Sequence, residues 1–171
     1  MYESENIMSK DFEKYIKSII GNTYFKECQG LFGIPDYVCF SKLNSDIRVV
    51  AFELKLTKWR TAIKQAFRYK SFSDYSFVVL PEKTAKIALA HLDIFVQYGI
   101  GLISIEGMKC EVKYSPIRQQ PFSVNMRNKV VSKIKKSRKH AIGTIDSIIF
   151  SEQGEHSSSI LSESAIKNSR F

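Results

Sequence analysis

Two short stretches, Gly33-Ile34-Pro35-Asp36 and Phe52-Glu53-Leu54-Lys55, decide how this sequence is interpreted. Each lies at the end of a β-rich run; the two runs cover residues 37–43 and 47–56. The segment between them, residues 44–46, consists of Asn, Ser and Asp, which favour tight turns. The pattern therefore predicts a β-hairpin whose open end carries both stretches.

The hairpin register determines which polar side chains meet. Direct partners in an antiparallel pair have residue numbers with a constant sum, and they share a face of the sheet. A two-residue turn at Asn44-Ser45 sets that sum at 89 and pairs Asp36 with Glu53, whereas a sum of 91 pairs Asp36 with Lys55. Glu53 and Lys55 are two residues apart, so they leave the same face of a strand. Either odd sum gathers all three side chains, and an even sum would place Asp36 on the opposite face.

Two carboxylates and an ammonium group in one cluster indicate metal-dependent chemistry. Neighbouring carboxylates raise one another's pKa unless a cation lies between them. Oxygen ligands in small number suit Mg²⁺, which keeps several waters and binds phosphate oxygens of a substrate. The alternative is a structural ion-paired cluster, in which Lys55 simply neutralises Asp36 and Glu53.

These residues resemble the motifs of the PD-(D/E)XK nuclease superfamily, especially its resolvase-like and restriction-endonuclease-like members. Pro35-Asp36 is similar to the PD element, and Glu53-Leu54-Lys55 is similar to the E-x-K element. Gln65-x-x-x-Tyr69 looks like the Q-x-x-x-Y helix of several branches, and the resemblance spans roughly residues 11–80.

The resemblance implies a role for each matching residue. Asp36 and Glu53 would bind Mg²⁺, or Mn²⁺ in its place, with the backbone carbonyl of Leu54 assisting, and Lys55 would act on the attacking water. The family commonly adds a glutamate from its first helix. Glu13 fits best, because Ile16 and Ile20 supply an inward apolar face, but Glu5 has Met8 and Phe12 at the same offsets and stays open.

A second predicted helix, residues 58–70, follows the E-x-K element. Its Gln65 and Tyr69 lie on one side at a spacing of four, either close to the scissile phosphate and metal or as packing residues. Arg60, Lys64 and Arg68 repeat at the same spacing and, with Lys58, predict a cationic ridge for phosphate contacts. The predicted catalytic residues are thus Asp36, Glu53, Lys55 and Gln65, and the predicted nucleic-acid contacts are Lys58, Arg60, Lys64, Arg68 and Tyr69.

The charge distribution favours a polyanionic partner. The 171-residue chain has a net charge of +9, with 26 basic and 17 acidic residues. Residues 58–70 hold five basic residues and residues 123–140 hold seven, with no acid in either stretch. Together they contribute +12, so the remainder is −3. Such concentration is typical of nucleic-acid binding; an anionic membrane surface fits less well, because neither stretch has a wide apolar face.

The order of predicted elements gives the fold class. A helix over residues 11–20, three strands, the helix over 58–70, a strand, a broken helix and a final hairpin predict an α/β fold. Its central mixed sheet is flanked by helices, and the resemblance implies an αβββαβ restriction-endonuclease-like core with a C-terminal extension. Residues 1–120 are predicted to form the nuclease-like core, and residues 121–171 a basic helix and a serine-rich tail.

These observations predict a Mg²⁺-dependent DNA endonuclease that hydrolyses phosphodiester bonds. Duplex or branched DNA is the expected substrate, RNA stays open, and a homodimer is expected by analogy. A non-catalytic DNA-binding or assembly module is the rival interpretation. The three cysteines are odd in number and widely spaced, and the chain lacks a secretory signal and a spanning segment, so we expect a cytoplasmic protein without disulfides.

Overall fold

The computed structural model describes residues 1–150 of the chain; the serine-rich segment predicted over residues 151–171 lies outside them. Its centre is a six-stranded mixed sheet in which neighbouring strands follow chain order. The strands are β1 (Tyr24–Lys26), β2 (Tyr37–Leu43), β3 (Asp46–Leu54), β4 (Tyr75–Pro81), β5 (Gly101–Glu106) and β6 (Lys109–Tyr114). β3, β4 and β5 are parallel, and the remaining neighbours are antiparallel.

Helices cover both faces of the sheet, which confirms the predicted α/β class. They are α1 (Glu5–Ile20), α2 (Trp59–Tyr69), α3 (Glu82–Leu89), α4 (Leu92–Tyr98), α5 (Val124–Lys136) and α6 (Asp146–Ile149). The helices α1 and α6 pack on one face of the sheet, and α2 to α5 pack on the other. None of the helices within residues 1–150 is both long enough and apolar enough to cross a membrane.

The β2–β3 hairpin has one of the two odd registers that the sequence left open. Leu43 pairs with Asp46 across a two-residue turn at Asn44-Ser45, and Tyr37 pairs with Phe52, so partner numbers sum to 89. Asn44 adopts a positive φ of 56°, a conformation that asparagine tolerates better than most residues. The face occupied by Val49 and Ala51 is therefore the face that the cluster residues share.

The first helix is longer than the sequence predicted. It begins at Glu5 rather than residue 11, because the Ser4 side chain accepts a hydrogen bond from the Ile7 amide at 3.2 Å and caps the first turn. The completely buried side chains of Met8, Phe12 and Ile16 continue one apolar stripe towards the sheet. This extra length carries the helix N-terminus to the end of β3.

Helices α5 and α6, which follow position 120, pack on the same core as the residues before it. Val130 and Ile134 of α5 are buried against the sheet, and Ile148 of α6 is buried on its other face. Arg127 donates to the Asp74 carboxylate at 2.9 Å. Up to residue 150, the predicted division at residue 120 does not separate two packing units.

Asp74 is the anchor for this C-terminal part. Its side chain is buried and accepts hydrogen bonds from the Val49 amide at 2.7 Å and from Arg127 and Arg118 at 2.9 and 3.0 Å. A buried carboxylate is stable only when its charge is paired and its oxygens are bonded, and both conditions are met here. Two arginines from the last third of the chain therefore fix the starting end of β4.

Candidate active site

Asp36, Glu53 and Lys55 meet at the end of β3, on the face covered by α2. The ladder ends at the pair Tyr37–Phe52, so Asp36 stands one residue beyond it. Its backbone amide donates to the Phe52 carbonyl at 3.1 Å, and its side-chain Oδ2 accepts from the Leu54 amide at 2.7 Å. These two bonds hold Asp36 beside Glu53, as the odd register predicted.

Glu53 occupies the centre of the cluster. It is only 2% exposed, since helices cover both faces of the sheet. Lys55 Nζ lies 3.2 Å from Glu53 Oε1, and the Tyr69 hydroxyl lies 2.5 Å from Glu53 Oε2. Both carboxylate oxygens therefore have a protein partner.

The cluster's electrostatics follow from burial and from the adjacent carboxylates. Burial, together with the negative charge of Asp36, raises the pKa of Glu53 to about 7 despite the hydrogen bond from Tyr69 and the charge of Lys55. Burial also raises the pKa of Asp36, which the Leu54 amide and Lys55 partly offset. Burial would lower the pKa of Lys55, but Glu53 beside it raises that pKa above the ordinary value. Glu53 thus changes charge near neutral pH.

Tyr69 is buried against the cluster, and the prediction that it contacts nucleic acid is wrong. Its side chain is 1% exposed, and its hydroxyl also lies 3.1 Å from the Ile34 carbonyl. The ring packs on Gly33, where an added Cβ would lie 2.8 Å from the ring and where φ is +85°. Tyr69 therefore fixes the loop that carries Asp36 and one oxygen of Glu53 at the same time.

Gln65 lies one helical turn before Tyr69 on α2. Its side-chain Oε1 is buried and has no hydrogen-bond donor among the residues described. A buried amide oxygen without a donor carries a desolvation cost of about 1–3 kcal/mol, so a bound group that satisfied it would be stabilised. Its predicted catalytic role stays a prediction, and its free oxygen is compatible with it.

The prediction of Glu13 as the first-helix ligand is wrong, because its carboxylate contacts β1 and not the cluster. Glu13 accepts a hydrogen bond from the Tyr24 hydroxyl at 2.7 Å and pairs with Lys26 at 3.2 Å, and the Tyr24 bond lowers its pKa. Glu5, the alternative, is the first residue of α1 and lies about 12 Å from Glu13 along the helix axis. It is Glu5 whose Oε2 lies 3.8 Å from Lys55 Nζ.

The predicted cationic ridge is present on the outer side of α2. Lys58, Arg60, Lys64 and Arg68 are all exposed, and within residues 1–150 none of the four pairs with a carboxylate. Arg60 stacks on the Trp59 ring at 4.0 Å, and Arg68 lies 5.9 Å from the Phe32 ring in the loop before Gly33. Whether the ridge binds phosphate stays a prediction.

The donor set fits Mg²⁺ through two carboxylates. No group of three or more His, Cys, Asp or Glu side chains in residues 1–150 forms a metal site by itself. Mg²⁺ usually takes only one or two protein carboxylates and completes its shell with water and substrate oxygens, so the pair Asp36 and Glu53 suffices. Asp36 would offer Oδ1 as a ligand, because the Leu54 amide holds its Oδ2. The raised pKa of Glu53 is the expected mark of a carboxylate pair that a cation would stabilise.

Comparisons with known proteins give no function. No protein family and no curated protein matches the chain. A solved structure of a protein of unknown function from Silicibacter pomeroyi is similar, with a TM-score of 0.49 and 12% identity over 74% of this chain and 83% of that one. The functional conclusion therefore depends on the chemistry of the site.

Proposed function

We propose that this protein is a Mg²⁺-dependent DNA endonuclease. The observation that carries the proposal is the convergence of Asp36, Glu53 and Lys55 at the end of β3, beside an α2 ridge of cations that pair with no carboxylate within residues 1–150. Carboxylates that share a cation and an adjacent ammonium group are suited to phosphodiester hydrolysis. Mn²⁺ is expected to replace Mg²⁺, and a cytoplasmic homodimer acting on duplex or branched DNA belongs to the same proposal.

Each residue has a separate task in this mechanism. Asp36 and Glu53 would hold the cation, which when bound would activate water and neutralise charge developing on the phosphate. Lys55, held by Glu53 and near Glu5, would orient the attacking water and stabilise the phosphoryl oxygens. Tyr69 keeps Glu53 and the loop of Asp36 at a fixed separation.

The protonation of Glu53 couples the proposed function to pH. A protonated carboxylic acid is a poor ligand, so a cation must displace the proton of Glu53 when the pH is below about 7. We therefore expect Mg²⁺ to bind more tightly as the pH rises through 7, and cleavage to increase in the same range.

The decisive experiment measures cleavage and metal binding in parallel. Plasmid and branched DNA are incubated with increasing Mg²⁺ and with wild type, Glu53→Ala, Lys55→Ala and, as a control on an exposed cation of α3, Lys86→Ala. We expect cleavage by wild type and by the control only. Retained cleavage in both site variants would remove Glu53 and Lys55 from the mechanism.

Thermal stability gives a second readout that does not need activity. We expect Mg²⁺ to raise the melting temperature of wild type but not of Glu53→Ala, because binding to the folded state stabilises it. A shift of equal size in both proteins would place the metal elsewhere.

The partners of Glu53 also favour a second candidate function. Both of its carboxylate oxygens are already bonded, by Lys55 and Tyr69, as in a purely structural ion cluster. A non-catalytic DNA-binding module would keep this cluster and use only the ridge. The module would be favoured if the protein bound DNA in a salt-dependent way but cleaved no duplex, nicked, branched or single-stranded DNA and no RNA. Cleavage of RNA alone would identify a ribonuclease.

A further inference from the structure

A groove between α2 and α4 combines aromatic surface with the cationic ridge. Its volume is about 480 Å³, and Arg60, Lys64 and Arg68 line its α2 side. Its apolar surface includes two aromatic residues, Phe67 and Tyr98, which are 39% and 41% exposed, and two isoleucines, Ile63 and Ile94. Among the residues that the structure describes, no carboxylate lines it.

The two rings are held in place from below. Phe67 and Tyr98 pack edge to face with ring centres 5.7 Å apart, and the ring centre of Phe122, itself an exposed residue, lies 5.5 Å from that of Phe67. Lys70 is buried beneath them, 5.3 Å from the Phe67 ring, and donates to the Tyr98 carbonyl at 2.7 Å. The aromatic surface is thus fixed before any ligand binds, which reduces the entropy cost of binding.

We propose that this groove binds single-stranded nucleic acid, with unpaired bases stacked on Phe67 and Tyr98 and phosphates on the cationic ridge. In a duplex the faces of the bases are covered by their neighbours, so a recessed aromatic ring meets only the backbone. An unpaired base presents its face, and stacking of bases on aromatic side chains beside cations is the usual mode of single-strand binding. A protein partner would need carboxylates to pair with the ridge, and the planar rings would offer it no specific contact.

The groove leads to the candidate active site. Arg60 and Arg68 are eight residues apart, about 12 Å along α2, which corresponds to roughly three stacked nucleotides. Arg68 precedes Tyr69, whose hydroxyl bonds Glu53, and it lies beside Phe32 in the loop leading to Asp36. The assignment of the groove to a substrate's unpaired strand rests on the proposed nuclease function; the binding itself does not.

The test measures binding in EDTA, where no cleavage occurs. The probes are a labelled oligothymidylate of about 15 nucleotides, its oligouridylate equivalent, a blunt duplex of the same length, and an abasic strand with the same number of phosphates. The variants are Phe67→Leu and Tyr98→Leu, which keep an apolar side chain but remove the ring. Phe150→Leu, at an exposed phenylalanine (46%) that follows α6 on the other face of the sheet, is the matched control.

We expect wild type to bind the oligothymidylate or the oligouridylate at least about tenfold more tightly than the abasic strand or the duplex. Each ring variant should weaken binding of that strand about tenfold and leave abasic-strand affinity unchanged, with Phe150→Leu behaving as wild type. The proposal would be overturned if wild type bound the abasic strand as tightly as the strand with bases. It would also be overturned if the affinities of both ring variants were within twofold of wild type. If single strands bind as expected but no Mg²⁺-dependent cleavage is detected, only the proposed nuclease function is refuted.

Discussion

Replacing Glu53 by glutamine keeps the shape of the side chain and removes its ionisation. In the folded protein the pKa of Glu53 is about 7, against 4.5 for an ordinary glutamate. Between these values the folded state retains a proton that the unfolded state releases, so stability falls as the pH rises from about 4.5 to about 7. Below that window both states are protonated, and above it both are ionised, so the contribution is constant at either end.

The magnitude follows from the difference between the two pKa values. At about 1.4 kcal/mol per pKa unit, the loss of stability across the window is about 3 kcal/mol. Glu53 is only 2% exposed, so solvent does little to screen it. The favourable charge of Lys55 is already included, because it lowers the pKa of Glu53.

The assay is urea unfolding of wild type and Glu53→Gln in EDTA, from about pH 4.5 to about pH 8. Glu53→Gln should gain about 3 kcal/mol relative to wild type between these limits. Glu82→Gln is the control: a hydrogen bond from Ser104 lowers the pKa of Glu82, so its curve should run parallel to that of wild type above about pH 5. Parallel curves for Glu53→Gln as well would refute the burial argument.

Three further substitutions test the framework of the site. Tyr69→Phe removes the hydrogen bond that lowers the pKa of Glu53, so the midpoint of the pH-dependent stability change, measured by urea unfolding, should move above pH 7. An unmoved midpoint would exclude that hydrogen bond. Gly33→Ala forces alanine into a left-handed backbone conformation and brings its Cβ against the Tyr69 ring. Calorimetry should therefore show a loss of about 1–3 kcal/mol in the free energy of unfolding, whereas an unchanged free energy would contradict this packing. Asp74→Asn leaves two arginines without their carboxylate and should cost about 3 kcal/mol or more in urea; a loss below about 1 kcal/mol would argue against a buried ion cluster.

The hairpin and its face could be predicted because the relevant signals are local. Asn44-Ser45 determines the turn, and the turn determines the register, so the positions of Asp36, Glu53 and Lys55 followed from counting. Local chemistry alone was enough for this part of the site.

The features that were missed depend on contacts between distant parts of the chain. Glu5 and Glu13 have equivalent apolar neighbours in sequence, and only the packed position of α1 brings Glu5 to Lys55. The inward turn of Tyr69 depends on the absence of a side chain at Gly33, which lies 36 residues earlier. Neither contact leaves a periodic signal, so residue spacing could not distinguish the alternatives.

The two arginines on Asp74 have a consequence for biosynthesis. They are encoded 44 and 53 residues after the carboxylate that they neutralise. While the ribosome is still adding the intervening segment, neither arginine is available to Asp74. The core surface that Val130 and Ile134 later cover is then exposed to water. We expect the nascent polypeptide to stay incompletely folded and protease-sensitive until α5 has emerged from the exit tunnel.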